Sequence, residues 1–172
     1  AAVRSERFGR VRRASFRRMG AAPSWSQDFY LDFARSGGAI VDLHIHDADF
    51  VRFCFGEPTD VEASGSRMHV HARYRYADGL VVEAEGGWMD DPGFAFTMTA
   101  SIECEGGSIE FALGRDPELL VRVGSTERTL TAGVDYPNGT GYDHEVCALV
   151  RAIASGAARA PGIWMTRGAT RF

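Results

Sequence analysis

Much of the chain between residues 61 and 131 alternates between apolar and polar residues, which predicts β-strands with one buried face. The clearest case is Met68–Tyr76, where alanine, valine or tyrosine occupies every second position from Val70 onward and basic residues lie between. Asp78-Gly79 is a hairpin turn signal that leads into a strand at residues 80–85. The same alternation predicts further strands at residues 94–102, 108–113, 118–123 and 127–131, near Val61 and after Val11.

Two segments have helical periodicity. One covers residues 39–55, and the other covers Asp143–Ser155 and ends at Gly156. The order strand, helix, strand meander, helix predicts an α+β fold for residues 1–172 as a single domain. We expect a large, mostly antiparallel open sheet with helices packed on one of its faces.

The segment SGGAIVDLHIHDAD, residues 36–49, begins the first of these helices. At helical pitch, one side of the helix carries a stripe of Asp42, His46, Asp49 and Phe53. The opposite side carries Ile40, His44, Ala48, Val51 and Phe55, so we assign His44 to packing. Ser36 or the following glycine pair can open the helix, and Gly56 can close it.

The histidines of this segment predict different chemistry in different secondary structures. In a helix, Asp42 and His46 are four residues apart and form a candidate acid/base pair. In a strand, His44 and His46 would share a face and form a candidate metal pair, as in a metal-dependent hydrolase. The length of the segment and its flanking glycines favour the helix, in which case the polar stripe faces either a cleft or solvent.

The composition of the chain argues against nucleic-acid binding and against a membrane span. The net charge of −4 gives no reason to expect nucleic acid as a partner, and no apolar run reaches the roughly 20 residues of a membrane span. Three widely spaced cysteines indicate free thiols in a reducing compartment, for which we expect the cytoplasm. The chain has no lysine, and it starts at Ala1 and not at Met, so we expect a piece of a longer protein.

The remaining patterns predict sheet surfaces. Seven arginines crowd the first 18 residues and indicate an edge strand that faces solvent or a second subunit. His69 and His71 alternate with arginines, which favours a polar sheet face over a metal site. Phe94, Phe96 and Met98 suggest an apolar open face, so we expect that face to be buried in a homo-oligomer.

The order of these motifs resembles the C-terminal domain of the Gfo/Idh/MocA family of NAD(P)-dependent oxidoreductases. The resemblance starts at Phe8-Gly9-Arg10-Val11, continues through Trp25–Asp28 and residues 36–49, and includes Phe55-Gly56-Glu57-Pro58. It ends with Gly141-Tyr142-Asp143-His144-Glu145, which opens the last helix.

The resemblance implies hydride transfer between a nicotinamide cofactor and a sugar, inositol or related polyol. It implies that Asp42 and His46 are the catalytic pair and that Trp25, Asp28, Asp49 and Tyr142 contact the substrate. NAD or NADP would be bound mainly by a preceding Rossmann domain that also supplies a lysine. The chain itself has no GxGxxG or GxxxxGK[ST] motif, and we expect no metal ion.

Two alternatives remain open from the sequence. One is a non-catalytic module that oligomerises through its open sheet. The other is the metal-dependent hydrolase that would use the His44/His46 pair. The dimer or tetramer state, the substrate and the choice between NAD and NADP stay open as well.

Overall fold

Among the residues that the structure describes, eight strands form one sheet in the first of two units, Ala1–Thr131 and Ala132–Phe172. The structure is a computed structural model that describes residues 8–124 and 126–129 and, further on, residues 146, 147, 150, 151 and 153–155. The strands are β1 (Val11–Ala21), β2 (Asp60–Gly65), β3 (His69–Arg75), β4 (Val81–Met89), β5 (Thr97–Cys104), β6 (Gly107–Ala112), β7 (Leu119–Val123) and β8 (Thr126–Thr129). The helices between β1 and β2 are α1 (Gln27–Tyr30), α2 (Phe33–Ser36), a π-helical turn (Ile40–His44) and α3 (Ile45–Phe55).

The strand order is β2-β3-β4-β1-β5-β6-β7-β8, so the arginine-rich first strand lies in the middle of the sheet. β1 runs parallel to β4, and every other strand pair of this sheet is antiparallel. The predicted α+β class with a mostly antiparallel open sheet is therefore confirmed. The prediction of β1 as an edge strand was wrong, because neighbouring strands supply the carboxylates that its arginines need.

One face of the sheet packs against α3 and forms the core. Phe16 on β1, Val82 on β4 and Tyr74 on β3 are buried there beneath Val51 of α3. At Gly86, a Cβ would lie only 3.0 Å from the Cβ of His44. The absence of a side chain at that position therefore lets the start of the helix approach β4 closely.

The opposite face carries an array of ion pairs. Glu85 of β4 binds Arg17 of β1 at 2.9 Å and His69 of β3 at 2.8 Å. Glu83 makes the same kind of bridge between Arg13 and Arg73. This arrangement confirms the polar sheet face at His69, with its carboxylates coming from the adjacent strand.

The apolar open face was a wrong prediction. β5 starts at Thr97, so Phe94 and Phe96 precede the strand. Ala100 and Ile102 of β5 point toward the core, which leaves Thr97, Thr99, Ser101 and Glu103 on the open side. Met98 lies on the same side of β5 as Ala100 and Ile102, so the prediction placed it on the wrong face of the sheet.

The second unit is described at a few helical positions, which fall within the predicted helix Asp143–Ser155. Val146, Val150 and Ile153 are exposed there. None of the described helices has the length and apolar character that crossing a membrane requires.

Substitution of Val51 by Ala tests the packing of α3. Val51 is fully buried, so V51A should lower the free energy of unfolding by about 2 kcal/mol through lost burial and a residual cavity. Urea denaturation followed by circular dichroism measures the change. V41A deletes the same atoms at a position that is 52% exposed and should cost less than about 0.5 kcal/mol. Equal losses in the two variants would contradict this packing.

Candidate active site

The loop before the candidate site is shaped by two consecutive glycines in the left-handed region. Gly37 and Gly38 have φ values of 75° and 71°, and a Cβ on Gly38 would lie 2.4 Å from the carbonyl oxygen of Arg67. The Ser36 hydroxyl accepts a hydrogen bond from the Gly38 N–H at 3.0 Å and donates to the Tyr30 carbonyl at 2.9 Å. These contacts set the point where the helix begins, as the sequence predicted.

The helix over residues 39–55 is confirmed, but its first turn is wider than expected. Ile40–His44 is a π-helical turn, and α-helical geometry follows from Ile45 to Phe55. A π turn carries an i→i+5 hydrogen-bond pattern, so the rotation between Asp42 and His46 differs from that of an ideal α-helix. Such single turns are rare and often occur at functional sites.

Two polar side chains lie on the buried side of this helix, three residues apart. His44 is 6% exposed and Asp47 is 4% exposed. Residues at i and i+3 are neighbours on a helix surface, so both face the sheet. Buried polar groups need partners, and each of these two finds one on a different strand.

Asp47 is bound by Arg18 of the central strand. Arg18 Nε donates to one carboxylate oxygen at 3.0 Å, and Nη2 donates to the other at 3.1 Å. The Asp47 side chain is 5% exposed and that of Arg18 is 18% exposed. A planar guanidinium that binds a carboxylate through two parallel hydrogen bonds restricts orientation as well as distance.

His44 is bound by Tyr74 of β3, with 3.1 Å between His44 Nε2 and the tyrosine oxygen. Burial lowers the pKa of His44 from its ordinary value of 6.5; the Asp47 carboxylate opposes that shift, and His71 adds to it. Burial, with Asp47, raises the pKa of Tyr74 to about 12. The contact therefore joins a neutral imidazole and a neutral phenol at neutral pH.

The opposite side of the helix carries the predicted catalytic pair. His46 is exposed and Asp42 is half-buried, while Asp49 is half-buried further along the same stripe. Within the described residues, no hydrogen bond or ion pair joins Asp42 to His46. Phe53, the last residue of the stripe, is exposed, as is Phe50, and their ring centroids are 6.1 Å apart.

Three predicted substrate contacts lie outside this helix. The Trp25 side chain is 77% exposed, and its ring lies 5.5 Å from that of Tyr30, which in turn contacts Trp88. Asp28 is exposed in the first turn of α1 and accepts a hydrogen bond from the Ser26 hydroxyl at 3.3 Å. Tyr142 lies outside the described residues. No contact in the described part of the chain joins Trp25 or Asp28 to the predicted catalytic pair.

Sequence analysis missed the ion pair between Arg18 and Asp47. Arg18 follows Ala14 and Phe16 at the same two-residue spacing, which places a charge on the core face of β1. Asp47 lies three residues after His44, on the buried side of the helix. Together these positions were a usable signal for an ion pair between sheet and helix.

The strand interpretation of residues 41–46 was wrong, and with it the geometry that a His44/His46 metal pair requires. In the helix His44 is buried against Tyr74, while His46 is exposed on another side. Among the residues that the structure describes, no group of three histidine, cysteine or acidic side chains is arranged to hold a metal ion.

Comparison with protein families gives one match, to the GFO/IDH/MocA C-terminal domain over residues 1–110. A solved levoglucosan dehydrogenase in complex with NADH and levoglucosan is 23% identical, with a TM-score of 0.72 over 90% of this chain and 52% of that chain. An aldose-aldose oxidoreductase from Caulobacter crescentus, complexed with glycerol, is 15% identical, with a TM-score of 0.71 over 90% of this chain and 49% of that one.

A UDP-N-acetylglucosamine 3-dehydrogenase from Acidithiobacillus ferrooxidans is similar as well, at 20% identity and a TM-score of 0.64 over 90% of this chain and 48% of that chain. This chain thus spans about half the length of these solved structures. No curated protein matches the sequence.

The buried His44 predicts a loss of stability in acid. Its folded-state pKa is lowered, so the unfolded chain binds more protons as the pH falls through 6.5, and the free energy of unfolding decreases. In H44Q, a non-titrating side chain removes this contribution, so urea denaturation between pH 7.5 and 5 should show a shallower decrease. H46Q makes the same change at an exposed position and should keep the parental dependence. A decrease in H44Q as steep as in the parent would contradict the assignment.

Proposed function

Because the chain belongs to the GFO/IDH/MocA C-terminal domain family, we propose that it is the substrate-binding and catalytic domain of an NAD(P)-dependent oxidoreductase. The substrate class is a sugar, inositol or related polyol. The observation that carries the proposal is the helix at residues 40–55, which turns Asp42 and His46 away from the core while His44 and Asp47 hold its other side.

In the proposed reaction, His46 takes the hydroxyl proton of the substrate alcohol. An imidazole suits this role because its ordinary pKa lies near 6.5. Asp42 orients the ring when substrate is bound. The two groups share no hydrogen bond in the free domain, and catalytic hydrogen bonds commonly tighten only when substrate binds. The π-helical turn that carries Asp42 supports a functional role for this end of the helix.

The chemistry that NAD or NADP supplies when bound is acceptance of a hydride from the alcohol carbon. The sequence has no glycine-rich phosphate turn and no lysine, so its own residues do not fit the role of the main cofactor site. We therefore assign cofactor binding to a nucleotide-binding domain that precedes this one in the full-length enzyme. The similar levoglucosan dehydrogenase structures that contain NADH support a nicotinamide cofactor for the enzyme.

We assign substrate binding to the four residues that the family resemblance implies. The exposed Trp25 indole offers a flat apolar surface for a sugar ring, and Asp28 and Asp49 offer acceptors for hydroxyl groups. Tyr142 is retained as a fourth contact. The names of the similar solved structures, which include complexes with levoglucosan, L-sorbose and glycerol, agree with a polyhydroxylated substrate.

A second function is favoured by the open sheet face. Its glutamates on β4, each bridged to two basic residues, form a surface on which both charge signs alternate. A surface of this kind can be complementary to its own copy across a two-fold axis. We propose that this face forms a homo-oligomer, either beside catalysis or, in the alternative function, without it. We place the oligomer in a reducing, cytoplasmic compartment.

The catalytic assignment predicts a large loss of activity on removal of His46. In the full-length enzyme, H46A should lower kcat for polyol oxidation by roughly 10²- to 10⁴-fold, because the proton acceptor is absent. Steady-state kinetics over pH 6 to 9 measures the effect, and the acidic limb of the profile should disappear.

H71A serves as the control, since His71 lies on β3 and outside the proposed site. It should keep parental activity. An H46A enzyme with the parental kcat and pH profile would remove His46 from the mechanism and leave the oligomerisation module as the better account.

Self-association through the open face predicts a mass above 18.8 kDa for this chain in light scattering at micromolar concentration. Because the face is ionic, association should weaken as salt is raised. R73E places a like charge beside Glu83 and should give monomers, whereas R52E, on α3, should not. A monomer in low salt would contradict the proposed interface.

A further inference from the structure

The helix that carries the proposed catalytic pair has one charged attachment to the sheet among the described ion pairs. Arg18 reaches from the central strand to Asp47, the residue directly after His46. The other ion pair of α3 joins Arg52 to Glu57, beyond the end of the helix, and is exposed to solvent. The Arg18–Asp47 pair is therefore the charged contact that relates the helix to the sheet.

The geometry of this contact constrains rotation about the helix axis. Arg18 Nε binds one carboxylate oxygen of Asp47 at 3.0 Å, and Nη2 binds the other at 3.1 Å. The two bonds together fix the orientation of the carboxylate plane as well as its distance from the guanidinium. Asp47 follows His46 by one residue, about 100° around the helix. Any rotation that the pair prevents at Asp47 is also prevented at His46.

Two neighbouring contacts also constrain the position of the helix on the sheet. His44, three residues before Asp47 on the buried side, is tied to Tyr74. Beneath it, Gly86 has no side chain, and a Cβ there would meet the Cβ and Cα of His44 at 3.0 and 3.2 Å. The contact with Tyr74 thus limits lateral movement of the first turn of the helix, and Gly86 allows that turn to lie close to the sheet.

We propose that Arg18 is a positioning residue: by binding Asp47 through two hydrogen bonds, it sets the rotation of the helix and hence the direction in which His46 meets the substrate hydroxyl. The inference rests on the proposed function of His46. Arg18 makes no contact with the reacting atoms in this account. Its effect on the reaction passes through the helix.

The test uses R18K in the full-length enzyme, alone and combined with H46A. Lysine keeps the charge but cannot form the planar pair of hydrogen bonds. R18K should lower kcat by about 10- to 100-fold, the usual effect of a small misplacement of a catalytic group, with a smaller change in KM. In the H46A background the same substitution should change kcat by less than about threefold, because the group that Arg18 positions is already absent.

R52K is the matched control, since it alters the solvent-exposed ion pair of the same helix. It should leave kcat within about twofold of the parent, as for surface changes generally. An equal loss from R18K in both backgrounds would show a general structural role and overturn the inference, as would a parental kcat in R18K. If H46A itself keeps the parental kcat, the proposed function fails and the inference with it. An impaired H46A beside an active R18K overturns the inference alone.

G86A covers the case in which R18K does not fold, as judged by circular dichroism. The added Cβ requires the helix to shift by a few tenths of an ångström without altering any charge. G86A should lower kcat in the parent and have little further effect in the H46A background. The same loss in both backgrounds would overturn the proposal that helix placement acts through His46.

Discussion

The ion pair between the half-buried Arg18 and the buried Asp47 is the constraint on which the arrangement of this domain depends. Both charges lie between the sheet and α3, and neither can lose its partner cheaply, because an uncompensated buried charge costs about 3–5 kcal/mol. Such a pair contributes orientation more than net stability, since the desolvation of both groups offsets much of their attraction. The helix can therefore pack on the sheet in only one rotation about its axis, the one that directs Asp47 at Arg18 of the central strand.

Because of that rotation, His44 and His46 lie in different environments although they are only two residues apart. His44 faces inward, where burial lowers its pKa and Tyr74 binds it, so it is a neutral structural group. His46 faces outward with Asp42 and is accessible to a substrate. A π-helical turn lies between the glycine pair and α3 and changes the pitch at the residues that carry the proposed chemistry. The open face of the sheet is separate from this site and carries its own charge array.

The sequence was informative wherever a short local period decides the structure. Alternation located β3, and the Asp78-Gly79 turn signal located β4. The glycines at residues 37, 38 and 56 bounded the helix. It failed where non-local pairing decides. β1 looked like an edge strand because its glutamate partners lie about 70 residues away, and Phe94 and Phe96 looked like strand residues because alternation continues past the start of β5. Periodicity along the chain does not distinguish a π-helical turn from an α-helical one. It places Arg18 and Asp47 on surfaces that face each other, but it does not show that the two side chains pair. Asp42, His46, Trp25, Asp28, Asp49 and Tyr142 as functional residues remain predictions.

The most direct test of the central claim is a crystal structure of the full-length enzyme with NADH or NADPH and a polyol substrate. The account predicts that a ring nitrogen of His46 lies within about 3.2 Å of the hydroxyl whose carbon faces the nicotinamide. Asp42 should contact the other ring nitrogen, and the Arg18–Asp47 pair should be intact. A substrate hydroxyl bound by a different base, with His46 directed into solvent, would contradict the account.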